Sequence, residues 1–110
     1  MPSIDRELLK GSLEVLLLAL LERGPMYGYQ IVKEVRARSE GVLELKEGSL
    51  YPALHRMAQE GWLKAEWGTT EKNRDAKFYT ITPAGRRQLE DEERRWLDLT
   101  QAVGKALRFA

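Results

Sequence analysis

The chain has 110 residues with a formal net charge of +1; 43% are hydrophobic, 32% are charged and none is cysteine. Such a chain is one ordinary globular domain with room for a modest core, and it carries no strong basic excess toward a polyanionic partner. Disulfides, thiol catalysis and cysteine metal sites are excluded, and a lone histidine without a glycine-rich phosphate loop gives no reason to expect an enzyme, a cofactor or a metal centre.

The longest apolar run, residues 15–21, is too short to span a bilayer, and Asp5 and Glu7 spoil a secretory start, so a cytoplasmic protein with no membrane partner is expected. A first helix is expected from Leu8, where Leu9, Leu13, Leu16, Leu17, Leu20 and Leu21 recur at three- and four-residue steps up to Gly24-Pro25. Val15, Leu18 and Ala19 widen its apolar face, which suits either burial on most sides or contact with a second subunit or the last helix. Residues 26–30 open a second helix with Tyr29, Ile31, Val32 and Val35 inward, ended by Ser39-Glu40-Gly41. Residues 42–45 read as a short extended segment, a first strand.

The third helix, residues 47–60, organises the rest. Leu50, Leu54 and Met57 fall on one face, leaving Ser49, Tyr51, Pro52, His55, Arg56 and Gln59 on the other. Glu47 suits the positive end of the helix dipole, Gly61 supplies the stop, and Pro52 requires a helix start close by. Two helices joined by a brief connection and then a small helix with hydroxyl, phenol, imidazole and guanidinium groups make a helix-turn-helix plan. The same face also fits an ordinary surface helix.

After Gly61 the pattern alternates, with Leu63, Ala65 and Trp67 on one side, and it alternates again over residues 77–81. This is a hairpin with a long tip, a wing, whose Lys72, Arg74 and Lys77 suit phosphates. Glu71 and Asp75 sit among them, so a solvated loop is the competing reading. Thr82 and Pro83 are N-cap and first helical residue of a long last helix. Along it Leu89, Trp96 and Val103 recur every seventh residue with Leu99 and Ala106 on the adjoining line, a coiled-coil-like dimer seam interrupted by Glu92. Packing on the first helix of the same chain is compatible with that seam. The run Glu90 to Glu93 lacks oxygen-ligand spacing and reads as a solvated face.

The fold expected is therefore mainly α with a small β-hairpin: a winged helix-turn-helix domain over residues 1–82 and a dimerisation helix over residues 83–110. Four pieces in this order resemble the PadR family of bacterial transcriptional regulators, in its short form with a single C-terminal helix. They are Gly11-Ser12-Leu13, Tyr27-Gly28-Tyr29-Gln30-Ile31, the stretch from Gly48-Ser49-Leu50-Tyr51-Pro52 to Met57, and Lys77-Phe78-Tyr79-Thr80-Ile81-Thr82-Pro83-Ala84-Gly85. The resemblance implies a homodimeric repressor of double-stranded DNA whose last helix dimerises against the first and last helices of its mate. Relatives of this kind commonly control detoxification, efflux or phenolic-acid genes, and some release DNA when a small aromatic or drug-like effector binds near the dimer interface. Two departures stand out: Asp75 falls where similar wings are more basic, and Lys46 replaces a small capping hydroxyl.

Arg56, bidentate to guanine, and His55 are the expected base contacts. Ser49, Tyr51 and Lys46, beside Pro52 at the helix start, are expected at phosphates, and Tyr27 and Lys33 at the backbone. Trp96 is expected in the seam, either as interface core or as one wall of a slot for a planar effector. A winged-helix protein-interaction module, or a ligand-binding dimer without specific DNA affinity, are the alternatives from other classes.

Overall fold

The computed structural model describes residues 12–107. In chain order it contains α1 (Leu13–Leu21), β1 (Met26–Tyr27), α2 (Gly28–Arg38), α3 (Glu47–Gln59), β2 (Leu63–Thr69), β3 (Asp75–Ile81) and α4 (Pro83–Ala106). The mainly α architecture with a β-hairpin wing is thus present; the expected helix start at Leu8 lies outside the described residues.

α1 is the hub. Leu17, Leu18, Leu20 and Leu21 are all buried, which a nine-residue helix achieves only when neighbours cover it on several sides. It packs against α2, α3, α4 and β3, so much of its apolar width is consumed within the chain. Ile31 and Val35 from α2, with Leu50, Leu54 and Met57 from α3, complete one core with Leu63, Tyr79, Ile81 and Leu89.

Two local expectations are corrected. The first strand is Met26–Tyr27, not residues 42–45, which form an irregular connection. Residues 26 and 27 pair with Tyr79 and Phe78, so tertiary pairing claims the segment that the pattern assigns to the second helix. The small hairpin is thereby a three-stranded antiparallel sheet in the order β1-β3-β2. The wing is also longer and its tip shorter than expected, because pairing continues from Leu63↔Ile81 out to Thr69↔Asp75. Within the tip the Thr70 hydroxyl accepts from the amides of Lys72 and Arg74 at 3.3 and 3.2 Å, and Asn73 adopts a positive φ of 59°.

The turn from α3 to the wing is set by Gly61. At φ 82° it lets the Trp62 amide reach the Met57 carbonyl at 3.0 Å, the six-to-one bond of a Schellman ending. Thr82 then caps α4, accepting from the Gly85 amide at 3.0 Å while donating its own hydroxyl to the Gly61 carbonyl at 2.6 Å. One residue locks the helix start to the end of α3. Gly85 is wedged so closely against the Trp62 carbonyl and the Ile81 side chain that a β-carbon would overlap both. Beyond Leu89 the helix leaves this packing and its side chains are largely exposed.

Candidate nucleic-acid interface

α3 starts at Glu47 because Lys46 is already extended, at φ −97° and ψ 147°, and its carbonyl accepts from the Leu50 amide at 2.9 Å. The Lys46 side chain makes no cap, as its chemistry requires, and is exposed. Buried Leu50, Ala53, Leu54 and Met57 orient the helix. At about 100° per residue, Gly48, Pro52, His55 and Gln59 then occupy the centre of the opposite face. Tyr51 lies on the flank toward the sheet, and Ser49 and Arg56 on the flank toward α1.

Pro52 lies deeper in the helix than any cost-free position. The amides left free at the start belong to residues 46–49, so the missing N–H of Pro52 leaves the Gly48 carbonyl without its helical donor. Both sit on the exposed face. A β-carbon on Gly48 would meet nothing within 4 Å, so packing inside the chain does not require glycine there. A helix-weakening glycine and a proline therefore stand together where a partner would approach most closely. Gly48 and Gln59 belong to this face by position, and a glycine without an internal steric reason is the signal that points to Gly48.

Arg56 is placed differently from a free base-reading arginine. Its Nη2 donates to Glu14 Oε1 of α1 at 2.6 Å, an ion pair between the last turn of α3 and the first turn of α1. Four of its five N–H donors are left. His55 is exposed and has no ion-pair partner among the described residues. Tyr51 is 44% exposed, yet its ring covers Gly28 at the start of α2, where a β-carbon would collide with the phenol. It combines packing with exposure.

Tyr27 is engaged with the wing. Its hydroxyl donates to the Glu71 carboxylate at 3.2 Å, its ring meets Phe78 edge-on at 5.2 Å, and its amide donates to Gln30 Oε1 at 3.1 Å. Loss of solvation, followed by the Glu71 charge, pushes its phenol above the ordinary value. Lys33 lies over the Tyr29 ring at 5.4 Å, on the wall of an open cleft of about 340 Å³ shared with Tyr27, Gln30 and Glu71. Lys72 and Arg74 at the wing tip have no ion-pair partner among the described residues, and Lys77 stands over Trp67 at 5.9 Å. The structure thus places Pro52 and His55 on the outer face of α3, Lys46 exposed just before its first turn, and Lys72, Arg74 and Lys77 on the adjoining wing, while Tyr27 and Arg56 are tied to acids.

The seven-residue line on α4 divides. Leu89 is 1% exposed inside its own protomer, so it has no surface left for a second subunit. Its place at the foot of α4, facing α1, is the physical reason. Trp96, Leu99, Val103 and Ala106 are exposed, with Leu97 and Leu107 beside them. Between α1 and α4, Val15, Glu92, Arg95, Trp96 and Leu99 line a cleft of about 210 Å³. No helix among the described residues is long and apolar enough to cross a membrane, and those residues hold no group of three or more His, Cys, Asp or Glu suited to a metal ion.

Among the described residues, three helices, a paired wing and a projecting helix define a winged helix-turn-helix protein. The chain matches the transcriptional regulator PadR-like family over residues 17–91 and belongs to it, a family of regulators and not of enzymes. It is 35% identical to a PadR family transcriptional regulator from Eggerthella lenta, with a TM-score of 0.78 and coverage of 92% of this chain and 86% of that one. A transcriptional regulator from Clostridium thermocellum superposes with a TM-score of 0.82 at 28% identity, covering 90% of this chain and 96% of the other. The negative transcriptional regulator PadR of Bacillus subtilis is 25% identical over 87% of this chain, which spans 50% of that protein's length.

Proposed function

We propose that this regulator acts as a homodimeric repressor that places two copies of α3 in successive major grooves of a pseudo-palindromic operator. The observation that carries the reading is the outer face of α3: Gly48, Pro52, His55 and Gln59 stand opposite the buried leucines, with the wing cations Lys72 and Arg74, unpaired among the described residues, beyond. Half-sites then lie about one helical turn, roughly 10 base pairs, or a multiple apart. Lys46, Ser49, Lys33 and the wing cations contact phosphates and set register. His55 and Arg56 read bases, Arg56 with the donors that Glu14 leaves free. Tyr27 and Tyr51 border the strand beside α2.

The dimerisation arm is the outer part of α4, where Trp96, Leu99, Val103 and Ala106 form the seam against the same helix of a mate. The cleft beside Trp96 is smaller than the 300 Å³ or so that drug-sized ligands occupy. A planar effector therefore needs the second subunit's Trp96 to complete its slot. Repression by a cytoplasmic dimer, with release by such an effector, is the function these placements support best.

The test is fluorescence anisotropy with duplex from upstream of the protein's own gene against a scrambled duplex, at low and moderate salt. Tight binding to the first, weakening steeply with salt as counterions are released, is the expected result. Feeble binding to both, persisting after selection from a random DNA pool, would favour the interaction-module reading, to which the near-neutral charge and the acidic Glu71 and Asp75 of the wing lend support.

A further inference from the structure

Trp67 is 73% exposed, more than any other large hydrophobic side chain among the described residues. Antiparallel register assigns it a definite face. Leu63 lies opposite Ile81, Ala65 opposite Tyr79 and Trp67 opposite Lys77, and residues directly opposite share a face. Leu63, Tyr79 and Ile81 are buried against the helices while Ala65 is exposed, so Trp67 and Lys77 continue that inner face outward, about 7 Å past buried Tyr79. Thr69 and Asp75 follow as the next pair toward the tip.

The same face borders α3. The helix packs against β2, and its Leu50, Leu54 and Met57 share one core with Leu63, Tyr79 and Ile81, with Tyr51 on the flank toward the sheet. Moving outward, the inner wall of the angle between α3 and the wing therefore runs Tyr51, Tyr79, then Trp67 beneath the Lys77 ammonium. The Lys77 nitrogen stands 5.9 Å from the indole centroid, so a flat apolar surface and a cation are presented together. Asp75 is the acid on this face, and the tip beyond carries Lys72 and Arg74. Such a wall matches a chain of alternating apolar sugars and anionic phosphates.

We propose that Trp67 and Lys77 form a backbone clamp for the DNA strand that passes between α3 and the wing, the indole lying on deoxyribose and the ammonium on the adjoining phosphate. The clamp rests on the DNA-binding reading above and contributes affinity without sequence preference.

The full-length chain labelled with 5-fluorotryptophan tests it, the Trp67 resonance being the one lost in Trp67→Thr. Adding scrambled duplex at low salt shifts that resonance and reduces its solvent-isotope effect. Trp67→Thr, with helix content checked by circular dichroism, weakens operator and scrambled DNA by the same factor, roughly five- to twenty-fold, and leaves the salt dependence unchanged. Trp67→Phe recovers most of the affinity. Lys77→Ala instead lowers the slope of log affinity against log salt by about one. An unmoved Trp67 resonance in a DNA-bound sample overturns the clamp while leaving the regulator reading intact. So does a resonance that moves with protein concentration alone, which would make Trp67 a contact between copies. Absence of DNA binding by the wild type removes both readings together.

Discussion

Leu89 and Trp96 lie one seven-residue step apart on the same helix, yet the first is 1% exposed and the second 44%. The inner part of α4 is wedged between α1 and the hairpin, with Gly85 against the Trp62 carbonyl and Thr82 bonded to Gly61. The outer part has the same apolar spacing, but beyond the cleft where Val15 borders Trp96 and Leu99 nothing within the described residues covers it. A repeat on a helix thus specifies which residues share a side, and the body of the fold decides where that side ceases to be core and becomes exposed surface.

The strongest way to break this contrast is Leu89→Ala, which removes a fully buried side chain and should lower stability by about 2–5 kcal/mol. Denaturant titration should find the loss at every protein concentration. Trp96→Ala should behave in the opposite manner, raising the dimer dissociation constant by roughly thirtyfold, or about 2 kcal/mol, for loss of a central aromatic anchor. Sedimentation equilibrium reads this, and a dimer that persists unchanged would remove Trp96 from the seam.

Glycines in the two parts sharpen the comparison further. Gly85→Ala forces a β-carbon into the Trp62 carbonyl and Ile81, at a cost of about 1–3 kcal/mol in thermal or denaturant unfolding. Gly104→Ala meets open space within the chain and should stabilise the outer helix slightly, by roughly 0.5 kcal/mol, seen as increased helicity. If Gly104→Ala instead weakens the dimer, a mate's backbone approaches closely at that point. The smallest effect belongs to the pair between α3 and α1: Glu14→Gln exchanges a half-exposed ion pair for a neutral contact and should change stability by about 0.3 kcal/mol or less. A specificity ratio that falls in this variant, measured as operator over scrambled DNA, would show that Glu14 steers Arg56.

By itself the sequence determined the helices, the inward set Leu50, Leu54 and Met57, the Thr82–Pro83 start of α4, and the faces of the wing. Each of these follows from short-range periodicity or from a capping preference that operates within one turn. The four motif pieces carried the family as well, because their order along the chain is itself sequence information. Only the tertiary structure decided that Met26–Tyr27 is a strand, since its partners Tyr79 and Phe78 are some fifty residues away. It alone tied Arg56 to Glu14 and Tyr27 to Glu71, contacts across 42 and 44 residues that no local pattern encodes. It also divided the α4 stripe between core and surface and left Trp67 uncovered. Periodicity reports which way a side chain points, and only packing against distant segments determines what, if anything, it meets.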